Sequence, residues 1–278
     1  MENLGYYNGH TDIIENIKIP ITDRVCWFGD GIYEASLAGR KIFALDEHLN
    51  RLFASAKGID IEPPHSKKEF EVLLNDLTKK VKGDLKLVYW QVTRDGGLRN
   101  HAYDETLKAN LLITIRKIDM PDKDIPLSLI TLEDKRYKMC NIKTLNLLPN
   151  VLAMQIAKNA KCGEAVFVGN GFVRECSHSN IHIIKDGIFK THPADSRILA
   201  GIARAHLIKH CQTLGIPVEF NAFTLGQLYQ ADEVIVTSSS QICLRANFVD
   251  GNAVGGRASK IFENLQMLAY SEFYEGIK

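Results

Sequence analysis

Apolar residues change their spacing several times along the chain, and each change marks an element. Up to about residue 20 they come in short runs broken at Asn8-Gly9, a tight-turn dipeptide, so short strands are expected there. From Asp46 to Ile59 the interval lengthens. Leu49, Leu52, Phe53 and Ala56 recur at helical spacing, and Asp46 stands where it could cap the start. Ser66 to Val81 predicts a second amphipathic helix with Phe70, Leu73, Leu74 and Leu77 on one face. Leu85–Arg94 and Leu111–Ile118 are rich in β-branched and aromatic residues and read as strands. The stretch between them, DGGLRNHAYDETL, is longer than a hairpin turn requires, and long loops without elements of their own often carry function.

The pattern breaks at Asp119–Pro126, where DMPDKDIP combines two prolines with alternating charges. This predicts a domain covering 1–118, a linker over 119–126 and a second domain over 127–278. In the second, short strands are expected at Leu127–Leu132, Glu164–Val168, Ile181–Ile184, Ile188–Thr191 and Glu233–Thr237, with helices near Asn150–Lys161 and Ile202–Leu214. The mixed order predicts an α+β protein with one helix-bearing sheet domain and one barrel-like domain.

Composition narrows the function classes. A formal net charge of +1 gives no electrostatic reason to expect nucleic acid or an anionic membrane as partner. No apolar run approaches the roughly 18–20 residues that span a bilayer, and the start MENLGYYNGH does not read as a secretory signal. The six cysteines (Cys26, Cys140, Cys162, Cys176, Cys211, Cys243) are scattered without a C-x-x-C pair. Free thiols in a reducing cytosol are therefore expected rather than a zinc site or redox motif.

Single residues say little. Lys143, set among apolar residues in NIKTLNLLPNVLA, is either a snorkelling surface lysine or a desolvated amine able to form a Schiff base. Glu175, in FVRECSHSN, reads as a turn carboxylate between two strands, and could instead face a pyridinium nitrogen. Leu199-Ala200-Gly201-Ile202-Ala203 opens a helix, whose free N–H groups suit a phosphate. Thr237-Ser238-Ser239-Ser240 is either a polar turn or a set of hydroxyl donors to the same phosphate. Arg51 alone reads as a surface charge. Arg99 and His101, in the long loop, form an Arg-x-His pair suited to a carboxylate.

Taken in order, the segments FGDGIYE (Phe28–Glu34), DEHLNRLFASA (Asp46–Ala56), YWQVTRDGGLRNH (Tyr89–His101), NIKTLNLLPNVLA (Asn141–Ala153), VRECSHSN (Val173–Asn180), THPADSRILAGIAR (Thr191–Arg204) and ADEVIVTSSS (Ala231–Ser240) carry a pattern. Over nearly its whole length the chain resembles the fold-type IV pyridoxal-phosphate enzymes, the class IV aminotransferases, and among them most the D-amino-acid-specific members. The resemblance implies a small N-terminal α/β domain, a larger C-terminal pseudo-barrel domain, pyridoxal 5′-phosphate between them, and a homodimer. It makes Lys143 the lysine that carries the cofactor and Glu175 the partner of the ring nitrogen. Arg51, the backbone of Ile202 and Ala203, Ser238 and Ser239 match the phosphate cup, and Leu199 matches the residue packed on the ring. Tyr33, Arg99 and His101 match the trap for the substrate carboxylate, the last two reaching in from the second subunit. Glu34 and Arg136 match an acid–base pair beneath the site.

The implied reaction is transamination of D-alanine-type substrates with a 2-oxo acid such as 2-oxoglutarate. Alternatives are a branched-chain aminotransferase of L-amino acids, a lyase similar to aminodeoxychorismate lyase, and a non-catalytic binder. The Arg99-x-His101 pair speaks against the first two. Departures from the family pattern are Ala203 in place of a hydroxyl residue, Pro149 in place of Gly, His182 in place of an aromatic or apolar residue, and a shortened stretch after Ser238–Ser240.

Overall fold

Asn8 and Gly9 both take positive φ, at 44° and 95°, and so make the two-residue turn that joins β1 (Asn3–Tyr7) to β2 (His10–Asp12). The chain is described from a computed structural model over residues 1–120 and 122–278; Pro121, within the expected linker, lies outside the described residues. A one-turn helix α1 (Val25–Phe28) leads into β3 (Gly31–Ala38). Helices α2 (Leu45–Gly58) and α3 (Lys67–Lys79) follow, then β4 (Lys86–Arg94) and β5 (Ala109–Lys117). These strands form an antiparallel sheet in the order β2-β1-β5-β4-β3. Val88, Trp90, Ile113 and Ile115 bury one face of it in a core shared with Leu49 and Leu52 of α2 and Phe70, Leu74 and Leu77 of α3.

The two helix starts differ. Ser66 caps α3 with a reciprocal bond from Glu69, as a capping box does. Asp46 does not cap α2. The residue before the helix is Ala44, in left-handed conformation at φ 49°, and Asp46 lies in the first turn with Lys67 and Asn50 as partners.

The second part begins with β6 (Leu127–Glu133), α4 (Leu148–Asn159), β7 (Glu164–Gly169) and β8 (Phe172–Cys176). It continues through β9 (Asn180–Lys185), β10 (Ile188–Thr191), α5 (Ile202–Thr213), β11 (Val218–Glu219) and the short α6 (Leu225–Tyr229). It closes with β12 (Glu233–Thr237), β13 (Leu244–Val249), β14 (Asn252–Ala253) and α7 (Ser259–Gly276). The strand order is β11-β10-β9-β12-β13-β6-β7-β8, with β14 on β13. The two ends of the sheet approach each other: Phe172 of β8 bridges Thr224, and the Val173 N–H donates to the Phe223 carbonyl just beyond β11. This curls the sheet into the expected pseudo-barrel. Its apolar core includes Leu129, Val166, Ile181, Ile183, Val234 and Val236.

Contacts divide the described chain into two units. The first takes Met1–Met120, Ile142–Asn146 and Glu275–Lys278; the second takes the stretch ending at Asn141 and Leu147–Tyr274. Lys143 thus belongs with the first sheet, although it follows the linker in sequence. The last residues join that unit because the Ile277 carbonyl accepts from the N–H groups of Arg40 and Lys41. Strands β3, β8 and β13 and helix α7 are additions to the elements read from the sequence. Among the described residues no helix is long and apolar enough to cross a membrane.

Candidate functional site

Strand β3 lies at the edge of its sheet, so its outer N–H and C=O groups need partners. The segment around Lys143 supplies them. Tyr33 N–H donates to the Lys143 carbonyl at 3.0 Å, Leu145 N–H donates to the Gly31 carbonyl at 3.0 Å, and Thr144 bridges Ile32. Lys143 N–H donates to Ser55 Oγ of α2 at 3.2 Å. Gly31 has no room for a side chain: a Cβ would lie 2.7 Å from the Val92 carbonyl and 2.8 Å from Leu145 Cδ1. So fixed, the half-buried Lys143 holds its Nζ 4.2 Å from the centre of the Tyr33 ring, which in turn stacks on Tyr89.

Next along β3 is Glu34, fully buried. Arg51 reaches it from α2 with two bonds, Nε to Oε1 at 2.7 Å and Nη2 to Oε2 at 2.8 Å, and His48 Nδ1 lies 2.6 Å from Oε2. Burial alone would raise the Glu34 pKa. The Arg51 charge and hydrogen bonds, with those of His48, outweigh it and hold the carboxyl at about 2. Burial pushes His48 the other way, below the usual imidazole value, against the pull of Glu34. Glu34 has Arg51 and His48 as its partners within the first unit, and Arg136 has Glu175 and Asp134 within the second. Arg51 is no loose surface charge.

Glu175 sits on β8 rather than in a turn, and it is buried. Its Oε1 takes a bond from Arg136, while Oε2 accepts from Asn180 Nδ2 at 3.1 Å and from the Leu199 N–H at 3.0 Å. Every one of these donors favours the charged carboxylate. Asn180 also donates to the Leu199 carbonyl at 3.0 Å, so one amide fastens Glu175 to Leu199. Neither Asn180 nor His48 was singled out from the sequence, although both lie inside the quoted segments.

Gly201 then starts α5. A Cβ there would meet Asn180 Oδ1 at 2.0 Å, so only glycine lets the helix begin so close. No side chain caps this helix, and its first turn holds no acidic residue. The buried backbone of Ile202 and Ala203 forms that turn, and such an end suits an anion. Ser238 and Ser239 are half-buried, and Ser238 Oγ accepts from the Gln241 N–H at 3.1 Å. Thr237 is committed elsewhere, with its hydroxyl 2.9 Å from His182 Nε2. The departure at Pro149 is absorbed in the first turn of α4, where proline is tolerated.

The loop between β4 and β5 is anchored at its crest. Arg24, paired with Asp30, donates to the carbonyls of Asn100 and His101. Arg99 and His101 are exposed and gather round Phe28, with the guanidinium 5.1 Å and the imidazole 5.2 Å from its ring centre. Among the described residues neither has a hydrogen bond, ion pair or ring contact with Tyr33.

These residues fit pyridoxal phosphate piece by piece. There is an amine braced against an aromatic ring, a buried carboxylate held by donors to its charged form, and an uncapped helix start free of acids. The family model described as amino-transferase class IV matches residues 31–247. The chain is 38% identical over 275 residues to the D-alanine aminotransferase of Listeria monocytogenes serotype 4b (strain F2365), covering 96% of this chain and 95% of the relative. It is 34% identical to that of Bacillus licheniformis, covering 94% and 93%. In fold it is similar to the branched-chain aminotransferase of Thermoproteus uzoniensis solved with norvaline, at TM-score 0.88 and 20% identity over 99% and 94% of the two chains. It is also similar to the T.th. branched-chain amino acid aminotransferase solved with pyridoxamine 5′-phosphate, at TM-score 0.87 and 22% identity over 99% and 95%.

Glu34 generates a pH prediction. Its folded pKa of about 2 lies below the ordinary 4.5, so the stability from its ionised form is complete above the ordinary value and is lost as pH falls toward the folded one. Glu34→Gln should cost about 3–5 kcal/mol at neutral pH, since it breaks a buried pair. It should also lose less stability than the wild type across that acid window. Denaturant unfolding at a series of pH values checks both.

Proposed function

Because the chain belongs to the class IV aminotransferase family, a family of pyridoxal-phosphate enzymes, we propose that it moves the amino group of a D-amino acid of the D-alanine type to a 2-oxo acid such as 2-oxoglutarate, with the cofactor held by Lys143. The observation that carries this reading is the Lys143 amine braced against Tyr33, in a chain alike from end to end to D-alanine aminotransferases.

When bound, pyridoxal phosphate supplies an electron sink for the pair left at the substrate Cα when its proton departs. Lys143 Nζ would be the base that takes this proton from the substrate Cα and, once protonated, the acid that gives it back. Glu175 would accept a hydrogen bond from the ring nitrogen, and Arg136, Asn180 and the Leu199 N–H hold that carboxylate in place. Leu199 packs on the ring. The N–H groups of Ile202 and Ala203, the hydroxyls of Ser238 and Ser239, and Arg51, which Glu34 keeps in one orientation, would hold the phosphate. Tyr33, Arg99 and His101 bind the substrate carboxylate, the guanidinium fork matching its two oxygens. Solved branched-chain aminotransferases share the fold, but at an identity that speaks only to fold.

The trap requires a second copy of the chain. Within one chain Arg99 and His101 are exposed and packed on Phe28, which suits residues that serve the partner's substrate. A second feature supports a homodimer. Helix α4 buries Ala153 and Ala157 but exposes Leu148 at 68%, Val151 at 60%, Leu152 at 56% and Ile156 at 47%. This stripe carries no charge, so two copies can meet on it without repulsion, and its burial would be favourable. The six unpaired thiols agree with a reducing, cytoplasmic setting.

Purified enzyme given D-alanine and 2-oxoglutarate should release pyruvate. Lys143→Ala should lower kcat by roughly a thousandfold or more. Arg99→Ala should raise KM for D-alanine about 10–100-fold with a smaller change in kcat, the expected loss of a charged hydrogen-bonded contact made already in the ground state. Unchanged KM in Arg99→Ala would remove that residue from the trap. Leu152→Glu should convert the dimer to monomer in sedimentation and lower turnover with it; a dimer that persists would move the interface off α4.

A further inference from the structure

His182 stands in β9, fully buried, and no step assigned above uses it. Both of its ring nitrogens are engaged. Nδ1 lies 3.0 Å from Thr191 Oγ1, at the end of β10, and Nε2 lies 2.9 Å from Thr237 Oγ1, at the end of β12. β10 and β12 flank β9 on either side. Beyond Thr191 the line continues: Arg204 Nε donates to the same Oγ1 at 3.0 Å, and Arg204 Nη2 donates to the His192 carbonyl at 2.9 Å. Arg204 belongs to the first turn of α5, directly after Ile202 and Ala203, and Thr237 directly precedes Ser238.

Arginine only donates, so Thr191 Oγ1 accepts from Arg204 Nε. A neutral imidazole carries one proton, so His182 donates to one of the two threonine hydroxyls and accepts from the other. Burial keeps the ring neutral, pushing its pKa well below the usual value, and the Arg204 charge acts the same way. Both ring nitrogens of His182 thus have a hydroxyl partner in the buried network.

We propose that His182 is a positioning residue for the cofactor phosphate. Through Thr237 on one side and Thr191 with Arg204 on the other, it sets the spacing between Ser238–Ser239 and the start of α5. The role rests on the phosphate reading above. It matters in this chain because Ala203 brings no hydroxyl, so the first turn of α5 holds the anion there by backbone N–H alone, and such a contact depends on where the helix is held.

The test uses the full-length chain freed of cofactor and titrated with pyridoxal phosphate or with pyridoxal, which lacks the phosphate, following the visible absorbance. Wild type should prefer pyridoxal phosphate by about a hundredfold or more. His182→Phe keeps a ring against Phe189, whose centre lies 5.0 Å away, but takes the imidazole partner from Thr237 and leaves Thr191 Oγ1 with Arg204 alone. It should weaken pyridoxal phosphate about tenfold and leave pyridoxal within about twofold. Thr191→Val cuts the same line at its other joint; it should act alike and add little when combined with His182→Phe, and it serves if His182→Phe fails to fold. His182→Gln, which retains one donor and one acceptor, should recover part of the loss. Equal weakening of both ligands, or no weakening of either, would overturn the positioning role while the phosphate reading stands. A wild type that binds the two ligands equally would overturn the phosphate reading itself, and the role with it.

Discussion

An edge strand that needs partners determines where Lys143 lies. β3 ends its sheet, and its outer edge takes up residues 142–146 through Tyr33, Gly31 and Ile32. Lys143 lies between β6 and α4 in sequence, yet its backbone is held by the first sheet and by Ser55 of α2. Backbone pairing thus sets Lys143 beside Tyr33, and its side chain carries the amine to that ring. The absence of a side chain at Gly31 is what allows the two segments to lie so close.

The same strand carries the next constraint. Glu34 follows Tyr33 and is fully buried, which is costly for a carboxylate unless it is paired and hydrogen-bonded. Arg51 and His48 meet that need from successive turns of α2, and in doing so fix α2 against β3. The second unit solves a like problem at Glu175 with Arg136, Asn180 and the Leu199 N–H. Buried ion pairs of this kind contribute little net stability. What they give is placement: a guanidinium and a carboxylate each held in one orientation.

Much of this was legible in the residues. Asn8-Gly9 gave the first hairpin, Ser66 the start of α3, and the β-branched runs the strands β4, β5, β6 and β12, because these signals act locally. β3 carries a weak signal, since it begins at a glycine and mixes Glu34 and Ser36 with apolar positions; its burial comes from β4, residues 142–146 and α2. β8 was missed for the same kind of reason, and Glu175 was set in a turn although its carboxylate points into a nest of donors. Helix α7 did carry a signal, with Phe262, Leu265, Ala269, Tyr270 and Phe273 at helical spacing. The ion-pair partners could not be read at all. Which arginine meets Glu34, and which meets Glu175, depends on residues that the sheet and α2 bring together.

The proposed hold of Lys143 on pyridoxal phosphate, in a site for D-amino acids, is tested most directly by the absorbance spectrum of the purified protein, taken before and after adding D-alanine, with L-leucine in a parallel sample. A yellow protein that bleaches to the pyridoxamine form with D-alanine and not with L-leucine is the predicted result. Bleaching with L-leucine alone, or no yellow after pyridoxal phosphate is supplied, would contradict it.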